Sequence, residues 1–62
     1  MCLSTVYTIV DENKRLLCKN IAGVKVDGDQ LIFTDIMGLP TVVTATIERI
    51  DLMDNFIYIR QK

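Results

Sequence analysis

Apolar and β-branched residues in this chain alternate or run in short blocks, and turn-forming residues separate them at spacings of roughly 8 to 12. That is the pattern of a small all-β barrel or sandwich. No segment of helical length repeats its apolar residues every three to four positions. Residues 3–10 form the first predicted strand, with Tyr7 and Ile9 on one face and Val6, Thr8 and Val10 on the other. Asp11, Glu12, Asn13 and Lys14 turn the chain, because Asp and Asn bond back to the local backbone. Residues 15–19 then return as a short strand holding Leu16, Leu17 and Cys18. Asn20, Ile21, Ala22 and Gly23 read as a helical turn or a loop, with Gly23 the expected seat of a positive φ.

Residues 24–26 form the next strand, and Asp27-Gly28-Asp29 is the strongest hairpin signal, since Asp-Gly supports turns that match strand twist. Residues 30–34 are its partner, with Leu31 and Phe33 opposed to Ile32. The connection through Asp35, Ile36, Met37, Gly38, Leu39 and Pro40 holds two apolar residues, Ile36 and Met37, where water favours polar ones. They are expected to fold back over an open end of the barrel; the alternative is that they reach a partner. Residues 41–47 are the most strand-like stretch, and Ile50, Leu52 and Met53 follow in a bulged strand or a corner. Asp54 and Asn55 turn the chain into a last strand at 56–60, aromatic on one face and isoleucine on the other. Apolar faces on both sides suit a strand between a core and a dimer interface, or a barrel wall covered by a loop.

Sixty-two residues make one domain, and so short a chain usually needs a disulfide, a metal or self-association to supplement its core. Two cysteines, no histidine and no charged-then-apolar leader point to a reducing cytoplasm, where a structural disulfide is disfavoured. Two cysteines without histidine also fall short of a four-ligand zinc site within one chain. Self-association is left, and a hydrophobic content of 50% supports it. Apolar runs are too short to span a membrane.

A net charge of −1 argues against a broad nucleic-acid face. Lys14, Arg15 and Lys19, opposed by Asp11 and Glu12, read as a solvated turn and strand edge. With no basic residue directly flanking any of them, Tyr7, Phe33, Phe56 and Tyr58 are expected to pack in the core rather than stack bases. No enzyme is expected. The commonest general base is missing and no serine or cysteine has a histidine to activate it, while no glycine-rich phosphate loop is present. Asp27 and Asp29 belong to a turn, not to a calcium loop.

Candidate chemistry concentrates at Cys2. At the start of a strand its thiolate, its amide nitrogen and the terminal amine can face one metal ion, in two fused chelate rings if Met1 is retained or in one ring of amine and thiolate if it is removed. That compact, planar set suits nickel(II) or copper(II) better than zinc. The other reading is a cysteine that packs as a small hydrophobe, which is the expected state of Cys18 beside Leu16 and Leu17. Two chains about a two-fold axis would bring two thiolates and two nitrogens to a four-coordinate plane.

The chain resembles the CooT family of small nickel-binding proteins associated with carbon monoxide dehydrogenase maturation. The likeness rests on the Met1-Cys2 start, on Val24-Lys25-Val26-Asp27-Gly28-Asp29 before an apolar strand, and on Thr34-Asp35-Ile36-Met37-Gly38. It continues through Ala45-Thr46-Ile47, with Ile50-Asp51-Leu52 behind it, and a C-terminal strand; it covers nearly all of the sequence. It implies a small SH3-like or Sm-like barrel of about five to seven short antiparallel strands. It further implies a homodimer binding one nickel(II) through Cys2 of both protomers, and a role in storing or delivering nickel for carbon monoxide dehydrogenase, in contact with that enzyme or its maturation factors. The alternative is an Sm-like RNA-binding or assembly module without a metal.

Overall fold

The computed structural model describes residues 3–62. Its strands are β1 (Ser4–Val10), β2 (Asn13–Asp27), β3 (Gln30–Asp35), β4 (Pro40–Asp51) and β5 (Phe56–Gln61). They close into one barrel in sequence order. The sequential pairs are antiparallel, and the pair that closes the barrel, β1 with β5, is parallel. Antiparallel pairing throughout was the expectation. An odd number of strands in an up-and-down meander leaves the first and last running the same way, so the seam has no other option.

Two of the strands are long rather than short. β2 runs 15 residues, pairing with β1 through its first half and with β3 through its second; Ile21 faces both Ser4 and Asp35. The break expected at residues 20–23 is a bend inside a continuous strand. Its left-handed residue is Asn20, at φ 58°, and not Gly23. Asn tolerates that region because its short polar side chain bonds locally, and a register shift between Ile21 and Gly23 absorbs the extra residue. β4 continues beyond Ile47 to Asp51 through a shift between Ile47 and Arg49, the bulged strand that is one of the two readings of that piece. The Asp-Gly hairpin forms as the sequence predicts, with Gly28 at φ 59° between ladder partners Asp27 and Gln30.

Alternation fills the interior. Val6, Ile21, Leu31, Phe33, Ala45, Ile57 and Ile59 are buried, and Leu17, Cys18, Val43 and Ile47 pack against them. Each fully buried aliphatic or aromatic side chain contributes roughly 1.5–3 kcal/mol relative to exposure. Thr8 shares this interior, and its Oγ1 has no hydrogen-bond partner among the described residues.

Candidate functional site

Cys2, the expected metal ligand, lies outside the described residues. The chain that follows it is held on both edges. Ser4 pairs with Ile21 of β2 and Thr5 with Phe56 of β5, and the Thr5 N–H donates to the Asn55 carbonyl at 2.9 Å.

Each of the two loops nearest this strand start is closed by an aspartate. Asp35 Oδ1 accepts the N–H groups of Met37 and Leu39 at 2.8 and 2.9 Å, and the Ile36 N–H reaches the Asn20 carbonyl at 3.0 Å, beside the Ser4 partner Ile21. Asp51 Oδ1 accepts from Met53 and Asp54 at 3.0 and 3.1 Å. Polar contacts therefore sit at the base of each loop and the apolar side chains splay outward. Ile36 and Met37 are 63% and 80% exposed, so they do not fold back over the barrel end; Leu52 and Met53 are more exposed still.

Among the described residues no three His, Cys, Asp or Glu side chains converge as a metal cluster. Cys18 is a poor ligand candidate. It is half-buried against the core, and burial, with the nearby Asp35 charge, pushes its thiol pKa up and keeps it protonated.

The outer wall at the β1–β5 seam differs from expectation. Phe33 is a core residue, but Tyr7, Phe56 and Tyr58 are half-buried and face outward, because Val6, Thr8, Ile57 and Ile59 take the inward positions of the same strands. Basic residues do interleave with them, in space. Lys14, predicted to be only solvated, pairs across β2 with Ile9 and holds its Nζ 4.9 Å from the Tyr7 centroid; Arg49 is the β4 partner of Tyr58. Sequence reasoning missed both cations because ladder register, not sequence distance, brings them to the rings. The charged groups along β4 and β5 form two pairs, Arg60 with Glu48 and Arg49 with Asp51.

A family model described as CO dehydrogenase accessory protein CooT matches residues 1–60. The crystal structure of a "putative CooT" from Carboxydothermus hydrogenoformans superposes with a TM-score of 0.89 over 98% of both chains, at 20% sequence identity. At that identity the likeness speaks for the fold, a small closed all-β barrel. No curated protein matches the sequence.

Proposed function

The chain belongs to the CooT family of CO dehydrogenase accessory proteins, and on that premise we propose that it is a nickel(II) metallochaperone or nickel-storage protein supporting maturation of that enzyme. It is not itself an enzyme. One metal ion is shared between the Cys2 thiolates of two protomers, with backbone nitrogen completing the plane. The observation that supports this reading is the family match over residues 1–60, which takes in Cys2; Cys18 is half-buried against the core with its thiol pKa raised and is the poorer ligand. A homodimer is supported by eleven large hydrophobic residues at least 39% exposed among the described residues, Met37, Leu52 and Met53 included.

Thiolate ligation requires loss of the thiol proton, so nickel binding releases protons and weakens in acid. The test is a nickel(II) titration of reduced protein, read by thiolate-to-nickel charge-transfer absorption and native mass. Saturation at one metal per two chains, lost in Cys2→Ser while the dimer persists, is the expected result; unchanged affinity in Cys2→Ser refutes the site.

The second reading, an Sm-like RNA-binding module, draws on the outward Tyr7, Phe56 and Tyr58 with Lys14 and Arg49 around them. Genuine phosphate contacts would weaken steeply as salt rises.

A further inference from the structure

A mixed aromatic and cationic surface crosses the barrel seam, and metal binding leaves it unused. Tyr7 and Tyr58 are ladder partners whose rings stack at 5.9 Å and 19°, and Phe56 meets them edge-on at 5.4 and 6.2 Å. The Lys14 ammonium and the Arg49 guanidinium each lie 5.8 Å from the Tyr58 centroid. Beside them a groove of about 500 Å³ opens to solvent, lined by Ile9, Lys14, Glu48, Arg49 and Tyr58.

The charges in this groove do not cancel. Glu48 is engaged by Arg60, and Arg49 has Asp51 at 3.5 Å, the long limit of a useful contact. Lys14 has no carboxylate partner among the described residues. A chain of net charge −1 therefore presents a locally positive groove with an aromatic floor and an aliphatic edge. Tyr and Arg in that arrangement are the side chains that most often anchor protein interfaces, and a carboxylate against Lys and Arg forms charge-assisted bonds that a neutral group cannot match.

We propose that this groove docks an acidic segment of a partner protein, one that sets a carboxylate beside an apolar or aromatic side chain. The carboxylate meets Lys14 and Arg49, and the apolar neighbour lies against Ile9 and Tyr58. Of the two groove cations only Lys14 lacks a carboxylate partner among the described residues, and Ile9 and Tyr58 lie beside it; that suits one carboxylate next to an apolar side chain, whereas a polynucleotide needs several clustered cations. Bases need open ring faces, whereas the Tyr7 and Tyr58 rings stack on one another. None of the groove residues is a donor in the proposed nickel site, so the two readings stand or fall separately.

The test uses metal-free, full-length protein labelled with nitrogen-15 and titrated with a synthetic peptide of about eight residues alternating Glu and Phe, long enough to cross the groove. Saturable amide shifts centred on Ile9, Lys14, Arg49 and Tyr58 are expected. Affinity should fall roughly tenfold or more in the Lys14→Glu, Arg49→Glu double variant, and a Lys-Phe peptide should leave the spectrum unchanged. If charge reversal lowers the melting temperature, the Lys14→Gln, Arg49→Gln pair replaces it, with a loss of about threefold or more as the pass mark. The proposal is overturned by an absence of saturable shifts, by full affinity in the charge variants, or by an oligouridylate that shifts the same residues and displaces the peptide.

Discussion

The Ile36 N–H donates to the carbonyl of Asn20 at 3.0 Å, and Asn20 makes that bond from a left-handed backbone conformation at φ 58°. One residue thus bends β2 and ties down the exposed loop at 36–39. A β-branched side chain at that φ is a steric outlier, so Asn20→Val should destabilise the fold by about 1–2 kcal/mol. Asn20→Gly should stay within about 0.5 kcal/mol of wild type, since glycine enters this region freely. Urea denaturation of the pair checks this; equal losses in both would show that the side chain, not the backbone angle, matters there.

Thr8 is 5% exposed and its hydroxyl finds no partner among the described residues. A buried hydroxyl without a hydrogen bond is a net cost, and valine has nearly the same shape. Thr8→Val should stabilise the barrel by about 1 kcal/mol, raising Tm by roughly 4–8 °C in a domain of this size. A lower Tm would mean that the hydroxyl is satisfied in solution.

Cys18 links stability to alkaline pH. Burial, with the Asp35 charge, raises its folded-state pKa above that of the unfolded chain, so folding favours the protonated thiol. That contribution is fully present below the ordinary thiol pKa and is lost as pH rises through the raised one. The stability gap between wild type and Cys18→Ala should therefore narrow between pH values of about 7.5 and 10, which bracket the ordinary thiol value. A gap of constant size in reduced protein would count against it. Alkylation at neutral pH should also be slower at Cys18 than in an unfolded control.

Much of the barrel is legible in single residues. Alternation puts Val6 with Thr8, Leu31 with Phe33 and Ile57 with Ile59 on shared faces, but it does not say which face turns inward. Asp27-Gly28 announces its own turn. What stays hidden depends on pairing across the sheet. Asn20 to Gly23 reads as a break because turn-prone residues look alike whether they end a strand or bend it. Tyr7, Phe56 and Tyr58 read as core because size and apolarity say nothing about which side of a closed wall they occupy. Lys14 and Arg49 are unremarkable in sequence, and only the register Ile9↔Lys14 and Arg49↔Tyr58 makes them part of one surface. The metal reading rests on Cys2, which precedes the described residues, and so owes more to family membership than to geometry.

The parallel seam also sets an order of assembly. β1 is made first and its seam partner β5 last, and their ladder joins the segments most distant in sequence, from Thr5↔Phe56 to Thr8↔Ile59. Contacts of such long reach form late, after the hairpins have shortened the effective loop between them. During synthesis, therefore, the strand adjoining Cys2 keeps one edge unpaired until residues 56–61 have left the ribosome. A truncated or stalled chain would display that edge, with its hydrogen-bonding groups and Tyr7, as a template for misassembly.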